Sequence, residues 1–284
     1  MAAVGFVGLG NMGSVLAANL VATGHAVVAY DIAGPDRAPD GAAFAGSVAE
    51  VARKADVVVF SLPDGAISAQ VAKEVAAAPG RQAAHVADTS TIGIRAAQEN
   101  ALLLATDGIA YVDAPVSGGV AGARARTLAV MYAAPDDACA AVEPVLAGLS
   151  DRRYRVGARA GLGQAMKLAN NFLSATALAA TSEAVAFGLT AGLDIDTMLD
   201  VLNASSGKNT ATSDKFPNQV RTGHYAAGFT NSLMAKDVRL YLSAVQELAG
   251  AAEVGGVVES LWTQFAEAEP NADFTRMFPF IRGS

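Results

Sequence analysis

Three glycines, an aspartate and two lysines are the residues whose types and spacing could do chemistry in this 284-residue chain. Gly8-x-Gly10-x-x-Gly13 follows the short apolar run Val4–Val7, which reads as a buried strand, and opens a stretch rich in Ala and Leu, Met12–Thr23, that reads as a helix. Such a turn suits a pyrophosphate. Gly8 permits the tight turn, Gly10 lets the backbone approach the phosphates with no Cβ in the way, and Gly13 lets the helix pack close to the sheet. The helix N-terminus then presents free N–H groups and a partial positive charge, and Leu9, Asn11 and Met12 share the same loop. Asp31 follows the glycines by about 20 residues, at the end of a second apolar run, Val27–Tyr30. A carboxylate there accepts hydrogen bonds from the adenosine ribose hydroxyls and repels a 2′-phosphate, which favours NAD over NADP. Arg37, the nearby cation, lies beyond a Gly34-Pro35 turn and reads as a solvated surface charge.

Hydride chemistry at such a site needs a group that takes the proton of the substrate alcohol. Histidine commonly serves, but none of the three isolated histidines (His25, His85, His224) is well placed, and their spacing offers no metal site. Lys167 is the candidate, near the start of a long helical stretch, with Asn171 four residues on and on the same face. Desolvation or a neighbouring cation brings a lysine towards the working pH, and Lys236 is the candidate second cation. The single cysteine, Cys139, excludes an internal disulfide and reads as a packing residue on a helix.

The elements that must position these groups alternate through the first half. Apolar runs at 57–60, 85–87, 110–112, 127–132 and 154–156 read as strands, and the stretches 47–54, 66–78, 93–106 and 136–148 as helices. This order predicts an α/β fold, a Rossmann-type doubly wound parallel sheet with helices on both faces, whose ligands bind outside the C-terminal strand ends. The segments after Val7, Phe60, Asp88 and Val112 should therefore open on one crevice. Past Gly157 the alternation stops. A helix from Gln164 to about Leu193 and helices over 194–203, 231–248 and 255–269 make the rest all-α. The expected division is a dinucleotide-binding domain, 1–160, and a helical substrate and oligomerisation domain, 161–284, that begins with a long interdomain helix. The polar stretch 205–229 is longer than ordinary connections and reads as a lid, partly helical.

Composition bounds the class. With 52% hydrophobic and 17% charged residues the chain is a globular protein with a sizeable core. A net charge of −7 and a pI near 5.0 argue against a nucleic-acid binder. The start, MAAVGFVGLG, offers no charged n-region or presequence, so a cytoplasmic location is expected. The apolar stretch 168–193 is interrupted by Asn170, Asn171 and Glu183 and reads as a buried helix rather than a membrane span.

Taken together the motifs resemble the β-hydroxyacid dehydrogenase family, and most closely 3-hydroxyisobutyrate dehydrogenases. They are GFVGLGNMG (Gly5–Gly13), SLP (Ser61–Pro63), DTSTI (Asp88–Ile92), DAPVSGG (Asp113–Gly119), GLGQAMKLANN (Gly161–Asn171), LNASSG (Leu202–Gly207) and GFTNSLMAKD (Gly228–Asp237). They span nearly the whole chain in order. The resemblance implies that Lys167 is the catalytic lysine, that Ser117, Gly118 and Gly119 hold the substrate carboxylate, and that Asn171 hydrogen-bonds the substrate. It places Leu62, Pro63, Thr91 and Lys236 at the nicotinamide cofactor. The implied activity is NAD-dependent oxidation of a small 3-hydroxy acid; separately, the apolar, alanine-rich long helix predicts a homodimer or homotetramer. Tartronate semialdehyde reductases and serine- or threonate-type dehydrogenases share these motifs. From other classes, an imine reductase typically lacks the lysine, and a non-catalytic nucleotide-binding partner protein would have lost the lysine or the carboxylate cradle. The segments Val130–Ala134 and Ser206–Gly228 depart from the family pattern and are expected to face or cover the substrate.

Overall fold

The run Val4–Val7 is β1, and its four residues alternate between two hydrophobic layers as a central parallel strand requires. A computed structural model describes residues 3–283, and its packing divides the chain into two compact units, Met1–Lys167 and Leu168–Ser284. In the first unit β1 is followed by α1 (Gly13–Ala22), β2 (Val27–Tyr30), β3 (Ala43–Phe44), α2 (Val48–Lys54), β4 (Val57–Phe60), α3 (Gly65–Ala76) and β5 (His85–Asp88). Then come α4 (Ile94–Ala105), β6 (Ala110–Asp113), β7 (Val116–Ser117), α5 (Gly119–Arg124), β8 (Ala129–Ala133), α6 (Asp136–Leu149) and β9 (Arg152–Gly157).

The strands form one sheet in the order β3-β2-β1-β4-β5-β6-β8-β7, with β9 beside β8. The six strands from β3 to β6 are parallel. Odd and even positions sort cleanly: Phe6, Val57, Val59, Ala87 and Val112 face a layer with Leu16 and Leu20 of α1 and Val142 and Leu146 of α6. Val7, Val58, Phe60, Val86 and Tyr111 face the other layer, with Val51 of α2, Val71 and Val75 of α3 and Leu104 of α4. The expected α/β architecture with helices on both faces is therefore present. Two features differ from the expected pattern: β8 runs antiparallel to β6, and the two-residue β7 pairs antiparallel with β8. The sequence predicts β8 as a strand, but its direction depends on its partners rather than on its own residues, and β7 has only two residues. The helix starts are legible in their caps. Ser47 Oγ accepts from Glu50 N at 3.2 Å while Glu50 Oε2 accepts from Gly46 N at 2.8 Å, and Asp64 Oδ1 accepts from Ile67 N at 2.9 Å. Cys139 is buried on α6, as expected.

α7 (Leu162–Thr190) starts in the first unit and runs on into the second, 29 residues without a break. It is the one helix among the described residues that is long and apolar enough to cross a membrane. It also carries buried, hydrogen-bonded polar groups, Ser182 Oγ donating to Leu178 O at 2.7 Å among them. The second unit adds α8 (Ile195–Ala204), α9 (Asn231–Glu247), α10 (Glu253–Ala268) and α11 (Met277–Arg282), all helical as expected. Its core is aromatic: Trp262, Phe265, Phe216, Phe274 and Phe278 with Leu178 and Val185, and the Trp262 indole N–H donates to Ala175 O at 3.3 Å. The polar stretch 205–229 contains a π-helical segment, Ala211–Val220, whose start is held by Asn209: its Oδ1 accepts from Ala211 N at 2.7 Å and Thr212 N at 3.2 Å.

Candidate active site

The glycine loop between β1 and α1 is built as its chemistry demands. Gly8 has φ +96°, and a Cβ there would lie 2.3 Å from Ser61 O; a Cβ at Gly13 would lie 1.9 Å from Gly8 O. These two glycines are required by the protein itself. Gly10 is different: a Cβ there meets nothing within 4 Å, so its bareness serves the space outside the loop. That open backbone in front of α1 fits a dinucleotide pyrophosphate. Asn11 is exposed, and Met12 is half-buried against the core beneath.

Asp31 closes on this loop. Its Oδ2 accepts from Leu9 N at 2.5 Å and its Oδ1 from Ala33 N at 2.8 Å, so the carboxylate fixes the loop and stands at the strand end. Arg37 is exposed in a 3₁₀ turn, Pro35–Arg37. After β4, Leu62 N donates to Ser90 Oγ at 2.8 Å, which ties the Leu62-Pro63 segment to the one carrying Thr91. Pro63 is exposed and Thr91 half-buried. Ser117 ends β7, and Gly118 (φ +135°) and Gly119 (φ +67°) turn the backbone into α5, in conformations that side chains resist.

Two carboxylates not singled out as site residues by the sequence lie at the ends of β5 and β6, paired in register and without solvent exposure. Asp88 Oδ2 accepts from Ser68 Oγ at 2.6 Å and from the Tyr111 hydroxyl at 3.1 Å, and its Oδ1 from Ser90 N at 2.9 Å. Burial pushes its pKa up, against the pull of these donors. Asp113 Oδ2 accepts from Gly161 N at 2.9 Å and Gln164 N at 3.0 Å, and its Oδ1 from Gln164 Nε2 at 2.8 Å. Burial raises it from 3.8 to about 6. Gln164 is as buried: its Nε2 also donates to Ser90 O at 3.0 Å, and its Oε1 accepts from Ile92 N at 2.9 Å and Gly93 N at 3.1 Å. The clue in the sequence was a carboxamide and an acid embedded in otherwise small and apolar motifs; their partners lie 48 to 74 residues away along the chain.

Lys167 sits one turn beyond Gln164 on α7 and is only 7% exposed. A lysine buried to this degree is uncommon and is not a solvated surface charge. In the second unit Asn171 is buried, and its Nδ2 donates to Asp237 Oδ2 at 2.6 Å. Lys236 Nζ lies 3.2 Å from Asp237 Oδ1, so Asn171, Asp237 and Lys236 form one group on α7 and α9. Asp237 closes the GFTNSLMAKD motif, and the sequence alone does not single it out as a site residue. Of the residues expected to face or cover the substrate, Val130 of β8 and Ala134 just after it instead pack in the core between the sheet and α6, which corrects that expectation for these two residues.

A mostly parallel sheet with a glycine turn at its first strand and an acid at its second defines a dinucleotide-binding fold, and the family matches place it among the oxidoreductases. The family model for the NAD binding domain of 6-phosphogluconate dehydrogenase matches residues 3–157. The model for the NAD-binding of NADP-dependent 3-hydroxyisobutyrate dehydrogenase matches residues 161–281. A 3-hydroxyisobutyrate dehydrogenase of Pseudomonas aeruginosa is 34% identical over 301 residues, with 100% of this chain and 99% of the relative covered. The 2-(hydroxymethyl)glutarate dehydrogenase of Eubacterium barkeri is 34% identical over 253 residues, covering 86% and 82%. A solved 3-hydroxyisobutyrate dehydrogenase of Mycobacterium tuberculosis, in a structure with L-serine, superposes with a TM-score of 0.93 at 33% identity over 99% of both chains. The chain belongs to the β-hydroxyacid dehydrogenase family and is 3-hydroxyisobutyrate dehydrogenase-like.

Proposed function

We propose that the chain oxidises a small 3-hydroxy acid, and reduces the corresponding semialdehyde in reverse, with Lys167 exchanging the hydroxyl proton. The observation that carries this is the burial of Lys167 on α7, in a motif that continues to Asn171. When bound, the nicotinamide supplies the hydride acceptor. Gly8, Leu9, Gly10, Asn11, Met12 and Gly13 hold its pyrophosphate, Asp31 its adenosine ribose, and Leu62, Pro63, Thr91 and Lys236 its nicotinamide side. Ser117, Gly118 and Gly119 hold the substrate carboxylate, partly through backbone N–H groups, and Asn171 orients the hydroxyl-bearing end. Lys167 takes the hydroxyl proton as the carbonyl forms and returns it in reduction.

NAD is the preferred dinucleotide on this reading. The Asp31 carboxylate stands at the end of β2, where a 2′-phosphate would meet a like charge. Arg37, the cation that could offset it, is exposed six residues on.

The relatives support one substrate class on this reading. 3-Hydroxyisobutyrate, 2-(hydroxymethyl)glutarate and serine share one skeleton, a CH2OH group on the carbon that bears the carboxylate, and differ in the third substituent. We assign this chain the same skeleton, with 3-hydroxyisobutyrate as the leading member and tartronate semialdehyde reduction or serine-type oxidation as the alternative on it; threonate-type oxidation, at a secondary hydroxyl, is the alternative outside that skeleton. The test is a panel of 3-hydroxyisobutyrate, serine, glycerate, threonate and 3-hydroxypropionate, with lactate as the 2-hydroxy control, each with NAD and NADP. Turnover of at least one 3-hydroxy acid with NAD at higher kcat/KM than with NADP is expected. Turnover of lactate alone, or of a cyclic imine in place of every acid, contradicts the proposal.

A further inference from the structure

The buried Asp113–Gln164 pair lies outside the groups that would touch cofactor or substrate, yet every one of its hydrogen bonds ends on a segment that carries one of them. Gln164 spans the residues flanking Thr91, through Ser90 O on one side and the Ile92 and Gly93 N–H groups on the other. Asp113 opens the DAPVSGG segment and takes the Gly161 and Gln164 N–H groups at the start of α7. A side-chain bond joins the two residues. α7 enters this arrangement without slack, since a Cβ at Gly163 would lie 2.8 Å from Met131 O and 2.9 Å from Asp113 Cγ and Asp113 O. Gln164 uses both its donors and its acceptor, and Asp113 receives three N–H groups, so the amide and the carboxylate can each sit in one orientation only.

We propose that Asp113 and Gln164 are positioning residues for Lys167: they lock the first turn of α7 to the Thr91 and Ser117 segments and so set where the lysine stands. The inference rests on the assignment of Lys167 as the proton carrier. The lysine is three residues beyond Gln164, one turn along the same helix, so a displacement of the helix start is delivered to it directly. A purely structural pair would be replaceable at a cost in stability alone. A positioning pair also costs turnover, because a shift of about 1 Å in a reacting group lowers rates by about 100-fold.

Three substitutions disturb the lock differently. Asp113→Asn replaces an acceptor with a donor facing donors, Gln164→Met removes the amide, and Gly163→Ala removes no polar group but pushes the helix start outward. Ser150→Ala is the structural control, removing a buried hydroxyl that donates to Leu128 O at 2.6 Å in the same unit. For each folded variant, kcat, the Kd for the dinucleotide and Tm are measured well below the lowest Tm. The expected result is a loss of kcat of tenfold or more in all three lock variants, with Kd for the dinucleotide within about threefold, while Ser150→Ala lowers Tm and leaves kcat unchanged. Retention of kcat within twofold in any two lock variants overturns the proposal. Failure of all three to fold overturns it as well, since the pair is then a folding element. Lys167→Ala is assayed beside them. If it retains turnover, the assignment of the lysine fails whatever the lock variants do; if it is inactive while they are active, the positioning inference alone fails.

Discussion

The two kinds of glycine in the phosphate loop separate the demands of the fold from those of the ligand. Gly13 is held by the protein, because a Cβ would stand 1.9 Å from Gly8 O, whereas Gly10 faces open space. Gly13→Ala is expected to cost about 3 kcal/mol or more by overpacking against backbone. Gly10→Ala should unfold within about 0.5 kcal/mol of the wild type while weakening dinucleotide affinity tenfold or more. Urea unfolding and fluorescence titration of the dinucleotide check both; equal stability losses at the two positions would contradict the distinction. The glycine spacing and Asp31 were legible in the sequence because a phosphate turn is local, its parts lying within one strand–helix–strand unit. That the Asp31 carboxylate also holds the loop through Leu9 N was not legible, since it depends on the side chain's rotamer.

Elements carry the next layer. β1, β2, β4, β5 and β6 announced themselves as apolar runs because both faces of a parallel sheet are covered, while β3, β7 and α5 are too short to give a period. The anchoring of α7 was hidden for another reason: Asp113 and Gln164 are 51 residues apart and gain their meaning only when β6 delivers one to the other. Its carboxylate makes a testable contribution to stability. Since the fold raises Asp113 from 3.8 to about 6, the native state binds the extra proton more tightly, so this group's favourable contribution is full below about pH 4 and is lost as pH rises through about 6. The whole change amounts to at most about 3 kcal/mol. Comparing urea unfolding of wild type and Asp113→Asn from pH 4 to 7, the wild type should lose stability relative to the variant as pH rises, and then run parallel above pH 6 to 7. A constant difference across the range would show that Asp113 does not titrate there.

At the scale of the whole molecule, an acidic protein of net charge −7 is proposed to bind an anionic dinucleotide and an anionic acid. Attraction must then come from local groups, the N–H-lined turns and the lysines, rather than from the overall field. The long α7, with Met166, Leu173 and Phe187 exposed along it, supports the expectation of a dimer or tetramer. Light scattering should give two or four times the 28.7 kDa chain mass, and a single chain mass would contradict it. The division into an α/β half and a helical half was legible from the loss of alternation after Gly157, because a change of period is a property of tens of residues. Substrate identity was not, because it rests on which side chains meet around one small acid.

The central claim is that Lys167 carries the hydroxyl proton, and the most direct measurement is the steady-state rate of Lys167→Ala with the best acid of the panel, alongside dinucleotide titration of the same preparation. A fall in kcat of about 100- to 10,000-fold with the dinucleotide Kd within about threefold is the predicted result. Turnover within tenfold of the wild type, with the same Kd, would contradict it.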